Sequence, residues 1–137
     1  MIQVVGKERI EILKKEAFSH PKRRARIILH SQQDTVTEMI IALHETSYLR
    51  PHKHPWGKPE SYHVMEGRLL VYIFNNDGFN TIKIKLDEET PFYKLQGDTY
   101  HQPVAVSEFA IYHEVYPGPF NKADDVIYAP WSNAEAA

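Results

Sequence analysis

The chain has 137 residues, which suits a single domain able to bury roughly two thirds of the surface its unfolded form exposes. It contains no cysteine, so disulfides, thiolate nucleophiles and sulfur-held metal clusters are all excluded, and any metal must be held by nitrogen and oxygen. Its 16 Lys and Arg nearly balance 18 Asp and Glu, which argues against a nucleic-acid partner, while eight histidines are a rich supply of metal ligands.

Residues Met1 to Phe18 carry too many charges for a signal peptide, and no apolar run approaches membrane-spanning length. A soluble, cytoplasmic protein with no membrane partner is therefore expected. From Lys7 to Phe18, Ile10, Leu13, Ala17 and Phe18 recur at three- and four-residue spacing, which predicts a short amphipathic helix capping a sheet. It should stop near Ser19-His20-Pro21, because the residue before a proline is pushed out of helical geometry. A basic run, Lys22 to Arg26, leads into Ile27-Ile28-Leu29.

Val36 to Leu43 and Leu69 to Phe74 read as buried strands. Between them lies Arg50-Pro51-His52-Lys53-His54, where strand alternation aims His52 and His54 the same way and Lys53 the other. Glu60 follows where an apolar strand resumes, and Gly67 suits a tight turn. Asn75-Asn76-Asp77-Gly78 predicts a hairpin turn into Thr81 to Leu86, with Ile82, Ile84 and Leu86 inward. Pro91 to Gln96 and Phe109 to Tyr116 complete the strands, and Pro117-Gly118-Pro119 ends the last. The tail from Asn121 is predicted to be irregular, pinned by Tyr128 and Trp131, and frayed over Ala134 to Ala137. Short strands separated by turns, with little helix, indicate a mostly β antiparallel sandwich or barrel.

His52, His54, Glu60 and the more distant His101 make a candidate ligand set, with roughly two coordination positions left open for substrate. Iron, manganese, nickel and zinc all suit such donors. His20, His30 and His44 read as structural. Tyr62 shares the face of Glu60 and could exchange a proton with a bound hydroxyl or carbonyl, a packed aromatic being the alternative. His63 points to the other side. Trp56, on the Pro55 to Pro59 loop, could stack on a sugar or base at the rim or pack as a lid.

The pattern His52, His54, Glu60, Gly67 resembles the first motif of the cupins, small jelly-roll barrels that hold a metal inside, although the spacer before Glu60 is longer than usual. The second cupin motif is matched loosely by Leu95 to His101, with Asp98 in the place of a turn glycine and Gln96 in that of a proline. Over most of the chain, several motifs in order look like the WbuC family of cupin-fold metalloproteins. These are Pro21 to Arg26, Leu49 to His54, Thr99-Tyr100-His101, His113-Glu114-Val115, Pro117 to Phe120 and Ala129-Pro130-Trp131.

The resemblance implies a single-domain cupin β-barrel over residues 25–120, with a helical segment at 1–20 and a tail at 121–137. It implies a divalent transition metal and a place in bacterial surface-polysaccharide (O-antigen) biosynthesis. His113 and Glu114 lie in the last strand, where only one can face the interior. Alternation alone does not choose; Glu114 is carried forward with Tyr62 as a candidate for proton transfer. Arg23, Arg24 and Arg50, near the metal motif, are candidates for binding an anion such as a nucleotide-sugar pyrophosphate.

Three functions follow as expectations. The first is a metal-dependent isomerase or epimerase acting on a sugar or nucleotide sugar. The others are a non-haem iron dioxygenase and a metal-dependent sensor or binding module without turnover. A homodimer is expected, because exposed strand edges of a small barrel need covering.

Overall fold

Ile10, Leu13 and Ala17 bury one stripe of an α-helix, α1 (Lys7–Ser19), in the computed structural model, which describes residues 1–79 and 81–134. The helix ends ahead of Pro21: His20 is already extended, and its N–H closes the last turn on the carbonyls of Glu16 and Ala17. No helix among the described residues is long and apolar enough to cross a membrane.

Ten strands follow among the described residues: β1 (Arg24–Ile28), β2 (Val36–His44), β3 (His52–Lys53), β4 (Glu60–Glu66), β5 (Leu69–Phe74), β6 (Ile82–Leu86), β7 (Phe92–Leu95), β8 (Tyr100–Ala105), β9 (Phe109–Pro117) and β10 (Ile127–Tyr128). They form two five-stranded antiparallel sheets, ordered β1-β2-β9-β4-β7 and β10-β3-β8-β5-β6. This is the mostly β architecture with one short helix that the sequence predicts.

Pairing register decides which side chains share a face. Across the first sheet, Ile28, Met39, Glu114, Tyr62 and Tyr93 form one transverse row, and Arg26, Ile41, Tyr112 and Val64 form the next. Tyr62, Val64 and Tyr112 belong to the inter-sheet core with Leu43, Leu69, Val71 and Leu86, so these rows face the interior. The alternate residues Ile40, Ala42 and Ile111 turn outward and receive α1, with Ala25, Ile27 and Leu29 packed alongside. The helix therefore caps the first sheet, as its apolar stripe implies.

Gly67 has φ +79°, and a Cβ there would run into the Phe109 carbonyl oxygen, which is why glycine is needed at that turn. Asp98, standing where the motif has glycine, adopts φ +62° and is held by an ion pair with Lys53 at 2.6 Å.

Two expectations are corrected. Ile82 is 59% exposed rather than inward, because β6 is an edge strand and only its far end, at Leu86, is fully covered. The tail is not irregular throughout: Ile127 and Tyr128 pair with Lys53 and His52, adding β10 to the sheet edge. Trp131 does pin the tail, resting on Phe74 and Tyr100 and donating its indole N–H to the Asn76 carbonyl at 3.0 Å. Tyr128 is half exposed, and the buried anchors are Asp125 and Ala129. The frayed end expected at Ala134 to Ala137 lies, beyond Ala134, outside the described residues.

Candidate metal centre

His52 on β3 and His101 on β8 stand directly opposite one another, their ring centroids 4.5 Å apart. His54 follows just after β3, with its ring 5.6 Å from each. Glu60 opens β4 on the facing sheet. One donor atom from each of His52, His54 and His101 lies within 4.8 Å of the others, and the same holds for His54, Glu60 and Glu114. The four ligands expected from the sequence thus come together from both sheets, and the Glu114 carboxylate lies beside them.

Each imidazole is oriented by a backbone carbonyl, which can only accept a hydrogen bond. Nδ1–H of His52 donates to Arg50 (2.9 Å), that of His54 to Asp125 (2.7 Å) and that of His101 to Thr99 (2.9 Å). All three Nε2 atoms are thereby aimed inward, the arrangement of metal-ligating histidines. Glu60, 2% exposed, contacts His54 Nε2 through Oε2 at 2.8 Å and accepts the Tyr93 hydroxyl on Oε1 at 2.6 Å. His101 Nε2 lies 2.9 Å from the same Oε1 but without hydrogen-bonding geometry, leaving a fully buried polar atom without a hydrogen-bond partner among the described residues. Such an orphaned nitrogen fits a cation.

The electrostatics follow from burial and from the closeness of the imidazoles to the carboxylates. Burial, helped by the neighbouring His101, pulls His52 down to about 3. Burial opposes charge on His54 as well, but its hydrogen bond to Glu60 and that carboxylate's field hold it up to about 9. Burial opposes charge on His101 too, and the field of the Glu60 carboxylate 2.9 Å away raises it. Burial would raise Glu60, yet His101 and His54 hold it well below the usual range. Glu114 is pushed up to about 7 by burial and by the Glu60 charge.

A cavity of about 520 Å³ opens over this cluster, lined by His52, His54, Tyr62, Tyr112 and Glu114 on its inner side and by Arg24, Arg26 and Arg50 further out. Glu60 and His101 lie behind its wall, whereas Glu114 faces it. Tyr62 is the register partner of Glu114, and its phenol favours the charged carboxyl. His113 points to the outer face and meets Glu38 at 2.7 Å, which settles the choice left open by alternation.

Other expected site residues lie elsewhere or are otherwise engaged. Arg23 has φ +57° and folds back over the Phe18 ring, donating to the Phe18 carbonyl; it closes off the end of α1 and does not line the cavity. Arg50 lines the cavity, but its Nε and Nη2 donate to Ser132 Oγ (2.8 Å) and the Ala129 carbonyl (3.1 Å), tying down the tail. Trp56 is 87% exposed at a loop tip, neither at the cavity nor packed as a lid. Among the histidines read as structural, His44 packs between Phe18 and Phe109, and His30 bonds to the backbone of Glu38. Sequence reasoning missed Tyr93, Tyr116, which stacks on His54 at 4.5 Å, and Asp125. Tyr93 and Asp125 carry no local signal, since each reaches the centre only through tertiary pairing.

Solved structures with a similar fold include oxalate oxidase in complex with the substrate analogue glycolate (19% identity over 82% of this chain and 58% of that chain, TM-score 0.60). They also include oxalate decarboxylase from Lactobacillus farciminis as a formate complex (18%, 75% and 30%, 0.60) and KdgF from Halomonas sp. (16%, 77% and 87%, 0.58). The chain spans under two thirds of the oxidase and decarboxylase chains. At this identity the likeness shows the fold, a cupin jelly roll carrying a His/Glu cluster able to hold a metal. No curated protein matches. A family model described as a domain of unknown function matches residues 5–86, more than half of the chain, and the protein accordingly belongs to that family, DUF6016.

Proposed function

We propose that this protein is a metal-dependent enzyme that isomerises or epimerises a sugar or nucleotide sugar. The observation that carries the reading is the division between two carboxylates. Glu60 is buried among the histidines behind the cavity wall, whereas Glu114 lines the cavity. His52, His54, His101 and Glu60 would hold the ion. Bound there, a divalent cation supplies Lewis acidity toward a carbonyl or hydroxyl oxygen of the substrate.

Glu114 is then the proton carrier. As a carboxylate it takes the proton from the carbon beside the substrate carbonyl, leaving an enediolate and a neutral Glu114 carboxylic acid. Returning that proton to the neighbouring carbon, while the hydroxyl proton passes from one enediolate oxygen to the other, moves the carbonyl; taking up a solvent proton on the opposite face of the same carbon, while Glu114 releases its own to solvent, inverts it. No electrons are gained or lost. Tyr62, the register partner of Glu114, stabilises the charged form of the carboxyl. The WbuC resemblance supports placing this chemistry in surface-polysaccharide (O-antigen) biosynthesis.

Elemental analysis of protein purified without added metal tests the site: about one ion per chain is expected, lost in both His52→Ala and His101→Ala. Full metal content in both variants would overturn it. Metal-loaded protein should exchange deuterium from D2O into a carbonyl sugar substrate without consuming oxygen. Glu114→Gln should keep its metal and lose at least about 100-fold in exchange rate. Turnover that requires oxygen would favour the dioxygenase reading instead, and ligand binding without exchange would favour the sensor.

A further inference from the structure

We propose that Arg24 and Arg26 form an anion-binding pair that holds a carboxylate or phosphate group of the substrate at the outer end of the cavity. The inference rests on the preceding reading and narrows its substrate class to an acidic sugar, a sugar phosphate or a nucleotide sugar.

Arg24 and Arg26 are two apart on β1 and project to one face. Their register partners on β2, Leu43 and Ile41, face the inter-sheet interior, so both arginines share the concave face that carries Tyr112, Glu114 and Tyr62. Both line the same cavity as His52 and Glu114. β1 lies two strand spacings from β9, about 10 Å, a distance that a sugar ring with a charged substituent bridges.

Among the described residues, neither of these two cavity-lining cations has a carboxylate partner. Lys53 is paired with Asp98, Lys58 with Asp125, and Arg23 and Arg50 are engaged with backbone and tail. Arg24 gives one N–H to the Tyr48 carbonyl at 2.9 Å, and among the described residues Arg26 makes no hydrogen bond or ion pair. Of the carboxylates lining the cavity, Glu16 is paired with Arg9 at 3.3 Å, and Glu114 belongs to the centre. Two guanidinium groups that repel each other, with open forks beside a polar cavity, match the bidentate geometry of carboxylate or phosphate.

The test is calorimetric titration of the metal-loaded and the chelator-treated protein with glucuronate, glucose 6-phosphate, UDP-glucose and, as the neutral control, glucose. In both forms of the protein at least one charged probe should bind about tenfold or more tightly than glucose, and which one does so separates carboxylate from phosphate recognition. Arg26→Gln, at an exposed position, should weaken that probe about tenfold without changing glucose binding or metal content. Arg24→Gln should do the same, and Arg26→Gln keeps the test valid if loss of the Tyr48 contact unfolds it. Equal binding of the charged probes by wild type and Arg26→Gln, or no preference over glucose, overturns the proposal. So does charged-probe binding that needs the metal and ignores both arginines. Because the chelated protein is titrated too, failure of the metal site leaves this result readable.

Discussion

His54 donates through Nδ1 to a carbonyl and lies 2.8 Å from Glu60 through Nε2; with both nitrogens so engaged and its pKa held up to about 9, it is an imidazolium at neutral pH in the absence of an ion. A metal needs the Nε2 lone pair, so binding must eject that proton. His52, pulled down to about 3, is already neutral and releases none. The sign follows: because the metal-free state holds the extra proton, affinity rises with pH and levels off above about 9. Calorimetry at pH 7.5 in two buffers of different ionisation enthalpy should show at least one proton released per ion, and affinity should climb about tenfold per pH unit from 7 toward 9. Affinity independent of pH over that range would mean that His54 is no ligand.

At the scale of elements, the tail deserves a functional reading as much as a structural one. β10 pairs with β3, Ala129 N–H bonds to the Pro51 carbonyl at 2.9 Å, and the Asp125 carbonyl orients His54. Asp125 is itself held by Lys58 at 2.7 Å and by the Asn121 N–H at 3.0 Å. Lys58→Met leaves the buried Asp125 carboxylate without its cation and loosens the carbonyl that orients His54. Metal affinity should fall about 10- to 100-fold, and Lys58→Arg should restore most of it. A folded Lys58→Met protein with wild-type affinity would detach the tail from the site. None of this was legible in the sequence, because two-residue strands have no periodicity and Lys58–Asp125 is a pairing of distant positions. The helix and the longer strands were legible, since their apolar spacing repeats over enough residues to fix a face. The clustering of His52, His54 and Glu60 was legible for a related reason: alternation and a nearby turn glycine act locally. The basic run shows where that logic stops. The resemblance pointed to Arg23 and Arg24, but the onset of β1 at Arg24 makes Arg24 and Arg26 the pair that faces inward.

For the molecule as a whole, the centre bridges the two sheets. His52 and His101 come from strands of one, and Glu60 and Glu114 from strands of the other, so an ion bound there ties the sheets together across the barrel. Without the ion, three imidazoles and two carboxylates share a buried space in which His54 carries an extra proton and His101 Nε2 has no hydrogen-bond partner among the described residues. Filling the site should therefore stabilise the folded state by linkage, about 4 kcal/mol when free ion stands at 1,000 times its Kd. For a chain of this size that is on the order of 10 °C in melting temperature. Scanning calorimetry of metal-loaded and chelator-treated protein should show that gap. His52→Ala should melt near the chelated wild type whether or not metal is added, because it removes a ligand without removing core. If wild type melts at one temperature in both states, the five donors are a buried polar network and not a metal centre.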